Sequence, residues 1–292
     1  MRIEEIMQDV SNRFQQANLY YGHGTDNPDD EAFALVCMAL DLPFDEAILD
    51  RDLSEKEEQK ITVLADKRIQ TRKPLSYLTN TAYFVGLPFY VDERVLIPRS
   101  PFGELIANQF QPWIQPESVK SILDIGTGSG CMAIAAALMF PDAIVDAVDL
   151  SKDALVVAKI NCKKFEVEDR VNLILSNVFE QVPKKKYDII ISNPPYVNRG
   201  EAKEFPREYQ HEPVMALETK KHALDIVKTI LHDAPGYLAD DGILVVEVGE
   251  NRELLEKECP DISFIWLDFA FGGTGDVFLL HAAAQSWENE GC

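Results

Sequence analysis

The first 75 residues place hydrophobic side chains at helical spacing. Apolar residues recur every three or four positions over residues 3–17, which predicts one face of an amphipathic helix. A second helix is predicted over about 30–40 and a third over about 54–71. The third begins with a capping box, a serine followed three residues later by a glutamate. We therefore expect residues 1–75 to form a helical N-terminal domain.

A second pattern begins after this helical part. Residues 82–97 are rich in aromatic and β-branched side chains, with Gly86 and Pro88 among them, which predicts a β-hairpin. The sequence Pro98-Arg99-Ser100-Pro101 follows, and then a predicted helix to about residue 110. We interpret residues 76–114 as a hairpin linker and connecting helix.

Short apolar runs alternate with helical patterns over residues 115–292. This alternation is typical of an α/β domain. The last two strands are joined by the short glycine-rich turn 271–275, so we expect them to be antiparallel. The predicted strands are residues 121–124, with Ile125 continuing the same apolar run, 143–149, 171–175, 187–192, 242–248, 264–269 and 276–281.

Charge narrows the class of partner. The chain has 292 residues, of which 28 are basic and 49 acidic, and its net charge is −21. This argues against nucleic acid as the main partner, and direct DNA binding is not expected, because phosphate binding relies on Lys and Arg. The charge favours a basic protein partner through electrostatic steering, although solubility or a salty habitat explains it equally well.

Composition indicates the compartment. No apolar stretch approaches the roughly 20 residues that span a bilayer, and the N-terminus has no apolar signal core, so we expect a cytoplasmic protein that makes no membrane contact. The five cysteines form no C-x-x-C pair and the five histidines show no ligand spacing. We therefore expect no metal site, and the oligomeric state is left open.

A glycine loop follows the first strand of the α/β part. Residues 121–125 lead into Gly126-Thr127-Gly128-Ser129-Gly130, and a helix of small and apolar residues follows to about residue 140. Strand, glycine loop and helix in this order bring backbone N–H groups against a ligand. The third glycine comes two residues after the second rather than three, so the loop departs from the dinucleotide fingerprint.

An acidic residue stands at the tip of the next strand. Asp149 ends the apolar run 143–149, and an acid at this position can accept both hydroxyls of a ribose. Its other candidate role is to cap the helix that begins near Lys152, for which Ser151 competes. The two roles are compatible.

The tetrapeptide Asn193-Pro194-Pro195-Tyr196 follows the buried strand predicted over 187–192. Neither proline has a backbone N–H, so the ladder cannot continue through them. The Pro194 carbonyl, the Asn193 side-chain oxygen and an aromatic face then meet at one place. This combination suits a planar NH2 group, such as an amide or a base amine, although a proline-rich turn with a tyrosine packed beneath it would look the same.

The glycine loop, the acid and the tetrapeptide, in this order, resemble the class I S-adenosylmethionine-dependent methyltransferases. The resemblance implies a Rossmann-like seven-stranded sheet, S-adenosyl-L-methionine as cofactor and S-adenosyl-L-homocysteine as product. Where that family often has an Asp for the adenine amine, this chain has Asn177, whose amide oxygen can accept the same bond. The implied cofactor-binding residues are Asp124, Gly126, Thr127, Gly128, Ser129, Gly130, Asp149, Leu150, Asn177, Val178 and Asn193; the implied catalytic residues are Asn193, Pro194, Pro195 and Tyr196.

The upstream context resembles the protein-glutamine N5-methyltransferases, over about residues 20–280. Their release-factor branch typically has Pro-Arg-Pro-Glu after the hairpin, whereas their branch acting on large-subunit ribosomal protein three has Pro-Arg-Ser-Pro, as at residues 98–101 here. Residues 21–28, 208–213 and the Gly272-Gly273 turn also match the ribosomal branch. Residues 198–200 and 219–222 depart from the family pattern, the latter replacing a loop that contains Gly and Asp.

The resemblance implies a basic ribosomal protein as substrate, bound with help from the helical N-terminal domain. An amide nitrogen is a poor nucleophile, so acceptors on both of its N–H bonds would hold it in line with the S–CH3 bond and favour the charge that develops. Three alternatives stay open: a release-factor glutamine methyltransferase, a non-catalytic ribosome-assembly module, and an adenine-N6 nucleic-acid methyltransferase. The last usually needs a basic surface and a target-recognition region, which this sequence lacks.

Overall fold

The N-terminal helices share a hydrophobic core. This computed structural model describes residues 1–219, 222–270 and 275–283. Buried apolar side chains between Ile3 and Leu75 form one cluster, which includes Phe14, Leu35 and Ile61. The helices are α1 (Ile3–Gln16), α2 (Pro28–Leu40), α3 (Glu55–Thr71) and α4 (Leu75–Thr79).

Local signals determine where these helices begin. Ser54 and Glu57 form the predicted capping box at the start of α3, each side chain accepting a hydrogen bond from the other residue's backbone N–H. α2 begins two residues before the predicted position, because Asn27 caps it through the Asp30 N–H and Pro28 occupies its first position.

The predicted hairpin is present but shorter than expected. Strands β1 (Thr81–Phe84) and β2 (Leu87–Tyr90) pair antiparallel, and residues 91–97 continue outside any strand. The following helix, α5 (Phe102–Ala107), ends before residue 110. Its early end follows from the left-handed backbone of Gln109 (φ 52°) and Phe110 (φ 54°), which cannot continue a right-handed helix.

A seven-stranded sheet carries the rest of the chain. Its first five strands are parallel, and the last two join in antiparallel fashion. The strands are β3 (Ser121–Ile125), β4 (Ile144–Asp149), β5 (Val171–Leu175), β6 (Tyr187–Ser192), β7 (Leu238–Gly249), β8 (Ile265–Trp266) and β9 (Asp276–His281). Their order is β5-β4-β3-β6-β7-β9-β8, which confirms the predicted α/β class.

Most strand positions agree with the sequence prediction, and the bounds of three strands differ from it. β4 begins one residue late, β7 runs over Leu238–Gly249 rather than 242–248, and β8 keeps only Ile265–Trp266 of the predicted 264–269. Within the described residues, β8 pairs with β9 alone and over two positions, which gives it the shorter range. The antiparallel final pair is confirmed. The turn residues 271–274, and residues 220 and 221 of the departure at 219–222, lie outside the described residues.

Helices cover both faces of the sheet. Alternate residues of each strand enter two different clusters, as the two-residue period of a strand requires. Ile122 and Ile189 pack with α6, whereas Leu123 and Ile190 pack with α9 and α10. The helices are α6 (Cys131–Met139), α7 (Lys152–Lys164), α8 (Val214–Leu217), α9 (Asp225–Asp233) and α10 (Arg252–Glu258). Within the described residues, no helix is long and apolar enough to cross a membrane.

A buried ion-pair cluster joins the N-terminal helices to the segment after β6. The Arg68 side chain is 1% exposed, and it donates to Glu31 at 2.5 Å and to the Tyr20 carbonyl at 3.0 Å. Glu208 accepts hydrogen bonds from the Tyr20 N–H at 3.1 Å and from Arg72 at 3.2 Å. These contacts position residues 207–211, which follow the tetrapeptide, against the helical part.

We predict that Arg68→Met destabilises the protein by about 3–5 kcal/mol, because the change leaves the Glu31 carboxylate buried without its cation. Urea unfolding monitored by circular dichroism measures the difference. Arg207→Met is the matched control, because Arg207 is exposed and should change the free energy of unfolding by less than about 0.5 kcal/mol. Equal effects of the two substitutions would contradict the role given to the buried cluster.

Candidate active site

The carboxyl ends of four parallel strands meet at one edge of the sheet. Ile125 of β3 pairs in register with Val148 of β4 and with Ser192 of β6, and Asp149 pairs with Leu175 of β5. The loops that follow these strands therefore lie side by side. These loops and the strand ends before them carry all the residues predicted for the cofactor and for the target nitrogen.

The glycine loop after β3 is packed on one side and open on the other. The N–H groups of Gly126 and Thr127 donate to the Val148 carbonyl, both at 2.9 Å. Gly130 has φ +80°, and a Cβ there would come to 3.2 Å from the Ala158 Cβ, whereas a Cβ on Gly128 would meet nothing within 4 Å. The space above Gly128 is therefore available to a ligand.

Two further contacts fix the back of this loop. The Asn161 side chain of α7 donates to the Ser129 carbonyl at 2.9 Å, and it also bonds the Tyr90 backbone through both its amide atoms. The loop is thereby tied to the end of the β1–β2 hairpin. Ser129 itself is 2% exposed, so its side chain lies within the packed side of the loop.

Asp124 lies beneath the glycine loop. Its side chain is completely buried and accepts a hydrogen bond from the Thr127 hydroxyl at 2.6 Å, while its Oδ1 atom has no hydrogen-bond partner within the described part of the chain. Burial raises the pKa of this carboxyl to about 7, against the opposing effect of the Thr127 hydrogen bond. Asp124 therefore holds Thr127 in place, and the free energy required to keep its carboxyl group buried depends on pH.

Asp149 is bonded to the glycine loop. Its Oδ2 atom accepts from the Gly128 N–H at 2.9 Å and its Oδ1 atom from the Ser151 N–H at 2.8 Å. Ser151, not Asp149, caps α7, because its hydroxyl accepts from the Ala154 N–H at 3.1 Å. Burial raises the pKa of Asp149. The acid is thus placed beside the loop and is not used as the helix cap.

The remaining predicted cofactor residues follow β4 and β5. Leu150 is 46% exposed although it is apolar. The Ser176 N–H donates to the Asp149 carbonyl at 3.0 Å, which brings the next two residues to the same edge. Asn177 is exposed and donates from Nδ2 to Glu180 at 2.7 Å, which leaves its Oδ1 atom as an acceptor, and Val178 is partly buried.

The tetrapeptide leaves the sheet where the two prolines predict. The β6 ladder ends at Ser192, whose hydroxyl donates to the Ile125 carbonyl at 2.8 Å. Beyond it, no hydrogen bond within the described residues involves the Asn193 side chain or the Pro194 carbonyl. The two predicted acceptors are therefore both available. A Cβ on Gly126 would lie 3.8 Å from the Asn193 carbonyl oxygen, so loop and tetrapeptide are neighbours.

Tyr196 is held by residues from the end of β7. Its hydroxyl donates to Glu247 Oε1 at 3.2 Å, and its carbonyl accepts from the Asn251 side chain at 3.1 Å. Its ring lies against Gly249, where an added Cβ would approach the ring to 2.5 Å. None of these three partners is among the residues predicted from the sequence. An acid inside the apolar run 242–248 was the available signal for one of them.

The Pro98–Pro101 motif lies against the same end of β7. The Ser100 hydroxyl donates to Glu247 Oε2 at 2.5 Å, and the Arg99 guanidinium makes two hydrogen bonds to Glu212, at 2.6 and 2.8 Å. Burial opposes ionisation of Glu212, but the His23 ring at 3.6 Å and the charge of Arg99 hold its pKa to about 2. The Pro98–Pro101 motif and the segment 208–213, which are distant in sequence, are thus joined beside the tetrapeptide.

No group of three or more His, Cys, Asp or Glu side chains within residues 1–219, 222–270 and 275–283 is arranged to hold a metal ion.

Comparison with known proteins assigns the class. A family model described as "Methyltransferase small domain" matches residues 105–208. The hMettl16 catalytic domain in complex with MAT2A 3'UTR hairpin 6 has a TM-score of 0.54 at 16% identity, over 80% of this chain and 84% of that one. A methyltransferase from Pyrococcus furiosus has a TM-score of 0.50 at 18% identity, over 68% and 89%. The fold is that of a class I methyltransferase.

Full-length relatives define the family. A Burkholderia pseudomallei (strain K96243) protein named "Ribosomal protein uL3 glutamine methyltransferase" is 44% identical over 96% of this chain and 94% of its own length. Proteins of the same name from Francisella tularensis subsp. tularensis (43%, over 90% and 85%) and Bordetella pertussis (44%, over 92% and 91%) are similar. The chain belongs to the ribosomal protein uL3 glutamine methyltransferase family, which confirms the resemblance drawn from Pro98–Pro101 and the tetrapeptide.

The raised pKa of Asp124 predicts a pH dependence of stability. The folded state binds a proton at Asp124 that the unfolded state releases near pH 4, so the contribution of Asp124 to stability falls as pH rises from about 4 to about 7. Asp124→Asn lacks this proton equilibrium. Between pH 5 and 8, the wild type should lose about 2–3 kcal/mol relative to the variant, measured by urea unfolding without added cofactor. A difference that does not change with pH would contradict the buried, raised-pKa carboxyl.

Proposed function

We propose that this protein transfers the methyl group of S-adenosyl-L-methionine to the side-chain nitrogen N5 of a glutamine in ribosomal protein uL3, with S-adenosyl-L-homocysteine as the second product. The observation that carries the proposal is a pair of acceptors beside an open glycine loop, Asn193 Oδ1 and the Pro194 carbonyl, neither of which has a hydrogen-bond partner in the described part of the chain. Family membership gives the substrate, since the relatives' names specify uL3.

The residues at the strand ends fit the cofactor. The open space at Gly128 suits the methionine part, which the backbone of Gly126–Gly130 would border. Asp149 would accept the ribose hydroxyls, and Asn177 Oδ1 would accept from the adenine amine next to Leu150 and Val178. The bound sulfonium supplies an electrophilic methyl group. Asp124 lies below the loop and would act by holding Thr127.

The tetrapeptide would hold the target amide. Asn193 Oδ1 and the Pro194 carbonyl would each accept one of the two N–H bonds, which fixes the nitrogen for in-line displacement. The same acceptors stabilise positive charge as it develops on that nitrogen. Pro195 stiffens the turn, and the Tyr196 ring would flank the amide plane. The methylated nitrogen loses one proton to solvent, so the site requires no strong general base.

The helical residues 1–75 would recognise the basic substrate, residues 76–114 would connect the two parts, and residues 115–292 would carry catalysis. Support for the first role comes from charge. Three helices of this part begin with acids in the first turn, most of them exposed, and acidic surfaces attract basic proteins. These acids are Glu4, Glu5, Asp29, Asp30, Glu31, Glu55, Glu57 and Glu58, of which Glu31 is buried in the Arg68 cluster.

The substrate is tested by mass spectrometry. Purified uL3 and a release factor, both from cells that lack the gene, are incubated separately with the enzyme and isotope-labelled cofactor. A single methyl group on a glutamine of uL3 is the expected result. Label on the release factor alone would move the protein to the other branch, and no label on either protein would contradict the proposed function.

We predict that Asn193→Ala lowers the rate of methyl transfer to uL3 at least about 100-fold, because one of the two acceptors for the amide is lost. Its dissociation constant for S-adenosyl-L-homocysteine should stay within about threefold of wild type. Asn108→Ala, at an exposed position outside the site, is the control and should be fully active. Near-normal turnover of the Asn193 variant would contradict the mechanism.

The affinity for the cofactor tests separately whether Asp149 binds the ribose. Asp149→Ala should weaken binding of S-adenosyl-L-homocysteine by about 10- to 100-fold, since a hydrogen bond to a charged group contributes about 1.5–3 kcal/mol. Isothermal titration calorimetry measures the change. Asp153→Ala removes an exposed acid four residues away on α7 and should leave affinity unchanged. The ribose assignment fails if both variants bind like wild type.

A further inference from the structure

Glu247 is a buried acid at a break in the regular ladder of β7. Its side chain is 2% exposed, between the buried apolar residues Val246 and Val248. The pairing of β7 with β9 shifts register between Glu247 and Gly249. Such an irregularity redirects a strand and its side chains, and it is frequent beside active sites. Here it accompanies a carboxylate that faces the Tyr196 hydroxyl.

Each carboxylate oxygen of Glu247 accepts a hydrogen bond from a different hydroxyl group. Oε2 accepts from the Ser100 hydroxyl at 2.5 Å and Oε1 from the Tyr196 hydroxyl at 3.2 Å. Within the described residues no cation forms an ion pair with Glu247, and Arg99 acts on it only through its charge. A buried carboxylate without a paired cation costs free energy. Stability is therefore a poor explanation for an acid in this strand.

Burial raises the pKa of Glu247 to about 6, so the side chain is ionised at pH 8. An ionised carboxylate accepts stronger hydrogen bonds from hydroxyl groups than a neutral amide does. The charge at this position thus fixes the two hydroxyls of Ser100 and Tyr196 at once.

Tyr196 is consequently held at three points. Its hydroxyl is bonded to Glu247, its ring is pressed against Gly249, and its carbonyl is bonded to Asn251. All three partners lie within five residues at the end of β7. A change of the Tyr196 χ1 rotamer would take the hydroxyl away from Glu247.

We propose that Glu247 is a positioning residue for methyl transfer, which acts through Tyr196 to hold the tetrapeptide in the geometry that receives the target amide. This inference rests on the proposed function, because it needs a tetrapeptide that binds a glutamine side chain. It adds a residue outside the tetrapeptide and outside the cofactor loop. It also links the Pro98–Pro101 motif to the site, since Ser100 is the second donor to Glu247.

The first test uses Glu247→Ala and Glu247→Gln with uL3 as substrate at pH 8, at a temperature where each variant is fully folded. The alanine variant should lose at least about 10-fold in kcat, because small misplacements of reacting groups are costly. Its affinity for S-adenosyl-L-homocysteine should stay within about threefold of wild type. The glutamine variant should recover part of kcat, because its amide can still bond both hydroxyls.

Thermal unfolding separates positioning from stability. Glu247→Gln should have an unfolding midpoint equal to or above that of wild type at pH 8, because it removes an unpaired buried charge. Glu253→Gln, an exposed acid on α10, is the matched control and should change neither kcat nor the midpoint. If Glu247→Ala keeps kcat within twofold of wild type, the proposed role is wrong.

A double-mutant cycle shows whether Glu247 acts through Tyr196. In a Tyr196→Phe background the hydroxyl is absent, so Glu247→Ala should cost less than about twofold in kcat. A full and additive loss in that background would overturn the proposed route. Failure of wild-type enzyme to methylate uL3 would refute the proposed function instead, and that outcome is visible before any variant is made.

Discussion

The pairing of β3 with both β4 and β6 is the constraint on which the site depends. The chain builds β3, β4 and β5 outward in one direction and then returns to place β6 on the other side of β3. A parallel sheet opens a crevice where its order reverses in this way, outside the carboxyl ends of the strands. The glycine loop follows β3 and the tetrapeptide follows β6, so the two halves of the site are adjacent by topology.

Two acidic side chains near this crevice are buried, although a hydrophobic core does not need them for its packing. Asp124 and Glu247 are both raised in pKa by burial, and each holds a hydroxyl group of a neighbouring segment. Such perturbed acids concentrate at functional sites. The apolar clusters on the two faces of the sheet supply the stability that these groups cost.

Local patterns in the sequence were enough to predict most elements. The capping box at Ser54, the apolar runs of β3, β5 and β6, and the glycine loop each depend on residues close together in the chain, and all appear where expected. The positions where helices and strands end depended on backbone conformation and on contacts between distant parts of the chain. α5 stops at left-handed residues, and β7 begins at Leu238 because Tyr187 of β6 pairs there, a contact that spans about fifty residues.

The same distinction applies to the site. The tetrapeptide and the loop are continuous motifs, so their residues could be identified from the sequence alone. Glu247, Gly249 and Asn251 contact Tyr196 only after β7 has paired with β6, and Arg99 meets Glu212 across 113 positions of the chain. No local pattern encodes these partners. The acid in the apolar run 242–248 is a local signal that Glu247 could have a partner, but it does not identify Tyr196.

The proposed mechanism requires the tetrapeptide to hold a glutamine amide between two acceptors. A crystal structure of the enzyme with S-adenosyl-L-homocysteine and a uL3 segment that contains the methylated glutamine, in its unmodified form, tests this most directly. We expect the amide nitrogen to lie within about 3 Å of both Asn193 Oδ1 and the Pro194 carbonyl oxygen, facing the cofactor sulfur. A glutamine bound elsewhere, or an amide held by neither acceptor, would contradict it.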